Sequence, residues 1–282
     1  MATAPETAAE PPAETLSAAA VAVLSCPEPA RKVALTQAAV SAWRAGRLAK
    51  LGSARPPDRP ARPERPELRP PRDMPRRRLS RGRTGRIALL HALAHIELNA
   101  LDLAWDMIAR FATADLGRTF AEDWLAVAEE EARHFALLAE RLGELGGAYG
   151  DLPAHDGLWQ AAESTRDDLL ARLAVVPLVL EARGLDVLPG LIARLEALDD
   201  QRSVAVLRVI YDEEIGHVGT GKHWFDTVCR KRGLAHEPTW QAYVRARFKG
   251  PLKPPFNEAA RRGAGLEPAL YAPLAEADDR QP

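Results

Sequence analysis

Two short motifs constrain this chain more than anything in its composition. Glu130-Glu131-Ala-Arg-His134 and Glu213-Glu214-Ile-Gly-His217 each contain Glu-x-x-His. A spacing of i,i+3 places both side chains on one face of a helix. One such match arises often in helical sequence. Two, separated by 83 residues for the glutamates and again for the histidines, are far more informative.

The rest of the chain supplies helices to carry them. Apolar periodicity predicts helices over about 86–112, 118–143, 165–188 and 200–227, with a short one near 155–163. Pro177, Gly184 and Pro189 predict a kink or break in the third. Upstream, two helices are expected at Glu14–Leu24 and Ala30–Leu51, after a disordered first dozen residues. Residues 52–85 form an extended arm, 86–230 the helical domain, and 231–282 a tail with a proline-rich piece, a short helix and a frayed end.

The first and third helices complete a pattern. Glu97-Leu-Asn-Ala-Leu-Asp102 and Glu181-Ala-Arg-Gly-Leu-Asp186 share Glu-x-x-x-Leu-Asp at an offset of 84, so the domain reads as two duplicated helix pairs. Each glutamate sits inside an apolar stripe, such as Leu93, Leu101 and Ala104 around Glu97 or Leu178, Leu185 and Leu188 around Glu181. Such stripes must be buried. A buried unpaired carboxylate costs several kcal/mol, so four together need a strong counter-charge. No lysine or arginine occupies those faces. Two divalent cations would balance four carboxylates, and two imidazoles would complete their shells. Glu97 lies 18 residues before the turn near Asp115 and Glu131 lies 16 after it, which returns them to nearly the same height.

One glutamate from each of two helices, plus Glu-x-x-His from each of two others, is the arrangement of ferritin-like di-iron and di-manganese carboxylate proteins. The expected fold is therefore all-α, a ferritin-like four-helix bundle. The metal ligands are Glu97, Glu131, His134, Glu181, Glu214 and His217. By role, Glu97 and Glu181 are terminal carboxylates, Glu131 and Glu214 bridge, and the histidines supply nitrogen. Six solvated charges on amphipathic helices are the competing reading, and it leaves the apolar stripes unexplained. Glu131, Glu214 and Tyr211 are the catalytic candidates, although Tyr211 equally suits core packing. Glu130 and Glu213 are either surface groups or partners behind the ligands. Asp102 and Asp186 either orient ligand histidines or lie on helix surfaces. His91 and His95 are off Glu97's face, and His223 reads as a surface histidine.

The arm is unusual in composition. Between Gly52 and Arg86 there are twelve arginines against four carboxylates, a net charge of +8, with Arg-Pro repeated five times. Proline at that density excludes helix and ladder pairing and favours an extended chain. The arm either wraps its own domain or contacts nucleic acid through phosphate. It lacks aromatic residues for base stacking. Over the whole chain the net charge is -1, so a protein basic throughout is excluded. Two cysteines in unrelated contexts make no disulfide framework and suggest a reducing compartment. No signal peptide or membrane span is evident, so the expected location is cytoplasmic, without membrane contact.

The runs His91–Asp106, Glu129–Phe135, Glu181–Val187 and Lys253-Pro-Pro-Phe-Asn257 resemble the bacterial domain-of-unknown-function 455 family, and the resemblance spans about residues 32–266. It implies a ferritin-like fold with a di-metal centre. The ligand pattern is more distantly similar to that of the di-iron tRNA hydroxylase acting on methylthio-isopentenyladenosine. That similarity implies an O2-dependent hydroxylase or oxidase holding two iron ions, with manganese also compatible. Its partners would be O2, an unidentified substrate such as a modified tRNA base, and a reductase. The alternatives are ferroxidase-like iron handling and a metal-stabilised protein that binds RNA through the arm.

Overall fold

A computed structural model describes residues 14–70, 73–74 and 82–275. The expected disordered start, part of the arm and the frayed C-terminal end lie outside these described residues. Among them every regular element is helical: α1 (Leu16–Ser25), α2 (Pro29–Arg44), α3 (Arg83–Phe111), α4 (Gly117–Glu144), α5 (Gly157–Ser164), α6 (Leu169–Val175), a π-helical segment (Val176–Glu181), α7 (Ala182–Glu196), α8 (Gln201–Arg232), α9 (His236–Arg247), α10 (Glu258–Gly263) and α11 (Pro268–Tyr271).

The motif-bearing helices are the long ones. α3 packs along α4, α8 lies against α7 and the π segment, and α4 and α8 meet each other. Local chemistry fixes their ends. Asp200 accepts a hydrogen bond from Ser203 N at the start of α8, and Gly233 closes it at φ 65°. α3 is buried nearly all round. By length and composition alone it suits a membrane crossing, but 78% of its apolar window is covered by the rest of the protein. Trp105 on α3 is fully buried and donates to Thr36 Oγ1 of α2 at 2.8 Å.

Three expectations need correction. The helix anticipated over Ala30–Leu51 ends at Arg44, because Gly46 turns left-handed at φ 71° and Arg47 N doubles back to Ala42 O. The third helix begins at Leu169 rather than 165 and runs past 188, with the disturbance expected at Pro177 inside it. Pro177 lacks the N–H that an α-helix requires, and the chain widens into a π turn ending on Glu181 before continuing to Glu196. The tail contains a helix that was not anticipated, α9, whose buried Trp240 donates to Ala174 O of α6 at 3.1 Å.

The described arm lies on its own protein. Ala61 N donates to Leu24 O at 2.7 Å, Arg62 Nη2 to Asn99 Oδ1 at 2.6 Å, and Arg59 pairs with Asp156 and Glu163. A parallel bridge joins Leu68 to Ala154.

Candidate metal centre

α3, α4 and α8 bring Glu97, Glu131, His134 and Glu214 together in the core, with one potential ligand atom from each all within 4.8 Å of one another. All four are buried. His134 Nδ1 lies 3.1 Å from Glu97 Oε2 and 3.6 Å from Glu131 Oε2. His217 joins from α8, with Nδ1 3.1 Å from Glu131 Oε1 and 3.7 Å from Glu214 Oε1. Glu181 stands outside the tight group of four. It lines a cavity together with Glu97 and Glu214.

The remaining nitrogens define a crossed arrangement. His134 Nε2 of α4 donates to Glu213 of α8 at 2.8 Å, and His217 Nε2 of α8 donates to Glu130 of α4 at 2.8 Å. Each histidine is thus held by the glutamate that precedes the other motif's ligand. Donation through Nε2 leaves Nδ1 turned to the carboxylates, where a metal ion would replace its proton. Arg133 pairs with Glu213 and so supports one arm of the cross.

The cluster concentrates buried carboxylates and imidazoles that could hold a cation. Burial pushes the Glu97 carboxyl up to about 8, and the nearby Glu131 charge adds to the rise. Glu181 is raised well above the carboxylate range by burial and then by Glu214 and Glu131. Burial opposes charge on His134, but hydrogen bonds to Glu131 and Glu97 outweigh it and raise the ring to about 11. His217 is likewise raised, against burial, by Glu130 and Glu131. Burial also disfavours the Glu131 anion, yet the two histidines hold its carboxyl well below the usual range. Among the described residues no lysine or arginine forms an ion pair with Glu97, Glu131, Glu181 or Glu214. Both oxygens of Glu131, Glu181 Oε2 and His217 Nδ1 are buried without an aligned hydrogen bond. Orphaned oxygens and a nitrogen facing one space are what a metal ion satisfies. The residues therefore fit a metal ion.

A family model described as a protein of unknown function (DUF455) matches residues 25–272. The chain belongs to that family. An uncharacterized protein of Haemophilus influenzae (strain ATCC 51907 / DSM 11121 / KW20 / Rd) is 46% identical over 169 residues, covering 58% of each chain. The chain thus spans just over half the length of that relative. No solved structure matches it.

Other site expectations resolve differently. Asp102 and Asp186 do not orient histidines. Both side chains are fully buried, but Asp102 pairs with Lys32 and with Arg62 at 3.2 Å, while Asp186 is held by Arg261 through two bonds of 2.8 and 2.7 Å. These repeat-related aspartates anchor the N-terminal segment and arm on α3, and the tail on α7. Tyr211 accepts a hydrogen bond from Asn257 Nδ2 of the tail at 2.9 Å. His95 bonds Tyr149 and the His155 carbonyl, His91 accepts from Gly150 N, and His223 is exposed.

Beside the cluster lies a cavity of about 250 Å³ between α3 and α7, closed by α5 and the π segment. Leu93, Ala100, Leu158, Val176, Leu180 and Leu188 line it, and Glu97, Glu181 and Glu214 form its polar wall. The sequence offered one signal for it. Gly184, in the middle of a helix where glycine is unfavourable, stands on the cavity wall.

Proposed function

We propose that this protein is a ferritin-like four-helix bundle carrying a carboxylate-bridged di-iron centre that oxidises an organic substrate with O2. α3, α4, α6–α7 and α8 would be the four bundle helices. Glu97 and His134 would hold one ion, Glu181 and His217 the other, with Glu131 and Glu214 shared between them. Bound iron supplies the electron transfer that activates O2. In a hydroxylation a C–H bond is replaced by C–OH. One oxygen atom enters the product and the other leaves as water, with two electrons and two protons from an external reductant. Glu130 and Glu213 fix the imidazoles, and the apolar walls exclude water from the reacting space.

The observation that carries this reading is the buried carboxylate cluster with orphaned ligand atoms and, among the described residues, no lysine or arginine paired to it, open on one side to an apolar cavity. A centre devoted only to iron handling has no use for such walls. Of the arm's described arginines, Arg59 and Arg62 pair with the protein's own carboxylates, which favours an arm that wraps its domain over that stretch. The test is metal content of the protein from its native host, followed by anaerobic reduction and O2 addition in an optical scan. About two irons per chain and an O2-dependent absorption change are expected. A centre that never reacts with O2 would sink the proposal.

A further inference from the structure

The cavity wall holds more information than the metal cluster requires. Its lining is aliphatic apart from the three glutamates and the rim, where Arg183 and His155 stand. Ile96 and Val187, both at its edge, are among the few large hydrophobic side chains left exposed, at 40% and 37%. Two small residues face one another's helices there. Ala100 follows Glu97 by three positions and Gly184 follows Glu181 by three, so the duplication places both one turn beyond a cavity-facing glutamate. A Cβ built at Gly184 meets nothing within 4 Å. Glycine there costs the helix about 1 kcal/mol against alanine. No neighbouring atom requires it, and a side chain there would take up open space on the cavity wall.

We propose that the cavity receives the aliphatic portion of a small molecule with a polar end, and that Gly184 sets how long that portion can be. A cavity of about 150 Å³ takes benzene, which scales this one to about ten carbons. The polar end stays at the mouth beside Arg183, whose side chain is 40% exposed and is steadied through Nη1, which donates to the Lys253 carbonyl at 2.8 Å and the Pro255 carbonyl at 3.3 Å. What happens to the bound group rests on the oxidoreductase reading above, but its binding does not.

The test is calorimetric titration of the full metal-loaded chain with straight-chain primary alcohols from hexanol to tetradecanol. Affinity should rise about fourfold per methylene until about ten carbons and then level off. Gly184→Leu fills the space and should move the plateau to shorter chains, weakening decanol at least tenfold with metal content unchanged. Gly184→Ala should fall between the two, and guards against misfolding of the larger variant. Affinity independent of chain length, or an unshifted plateau in Gly184→Leu, overturns the proposal. Metal content and O2 consumption on the same samples separate the two claims. Length-dependent binding without a reactive centre supports the cavity and defeats the oxidoreductase reading, and a reactive centre without length-dependent binding does the reverse.

Discussion

Within each Glu-Glu-x-x-His motif two adjacent carboxylates do different work: Glu131 enters the cluster on its own helix while Glu130 reaches across to His217, and Glu214 and Glu213 repeat the division. Removing the first kind deletes a ligand; removing the second loosens the imidazole. Glu131→Gln should therefore leave fewer than about two metal ions per chain at any practical concentration. Glu130→Gln should keep the stoichiometry but lower affinity by about 10–100-fold, read by competition with a chromophoric chelator. Equal losses from Glu129→Gln, whose carboxylate pairs with Arg44 on the surface, would show a general charge effect instead. The six candidate residues could be picked out because each interrupts an apolar stripe, and four of them, Glu97, Glu131, His134 and Glu214, meet in one tight group. The crossed partners were not, since their targets exist only once α4 and α8 have packed. A second residue-scale prediction concerns Cys229, whose thiol is raised to about 11 by burial and then by Asp226. The thiolate is the reactive form, so at pH 8 only about one thiol in a thousand is available. Iodoacetamide labelling of the native protein should be slow, rise about tenfold per pH unit below 11, and become fast on unfolding. Rapid labelling of Cys229 at pH 8 would contradict the burial described.

At the scale of elements, the long helices could be read from periodicity because their apolar faces repeat over many turns. Helix three was harder. Proline at 177 announced a disturbance, but whether the chain would kink or widen depended on its neighbour. α8 supplies that neighbour, since Gly221 lies where a Cβ would fall 2.4 Å from the Pro177 ring. The π turn and the glycine are thus one packing unit ending on Glu181. Gly221→Ala should be destabilising despite alanine's better helix propensity, by about 1–3 kcal/mol from overpacking against a rigid ring. Chemical denaturation would show a lower midpoint with little change in slope, and a midpoint at or above wild type would refute the close approach. α9 was missed for a different reason. Trp240, Tyr243 and Val244 have helical spacing, but prolines and charges around them resemble a tail, and only contact with α6 makes Trp240 a core residue.

At the scale of the whole molecule, the duplication explains how the extensions attach. Asp102 and Asp186 occupy corresponding places in the two halves, and each receives basic side chains from a segment outside the four long helical stretches. In sequence they were ambiguous between support for histidines and simple exposure, because a buried aspartate on a second helical face implies a cover that periodicity cannot locate. The two roles make opposite forecasts. If Asp186 oriented a ligand, Asp186→Ala would lower metal affinity first. As an anchor, its loss strands Arg261, whose side chain is 4% exposed and which stacks over Phe256 and Tyr271 in the tail. Breaking one side of a buried ion pair costs about 3–5 kcal/mol. Asp186→Ala should therefore lower the thermal midpoint and speed proteolysis around 249–275, while metal affinity below the melting range stays at the wild-type value. Replacing both partners, as in Asp186→Leu with Arg261→Met, should recover much of the lost stability, because no uncompensated charge is left buried. Failure of that recovery, together with weakened metal binding, would return Asp186 to the centre.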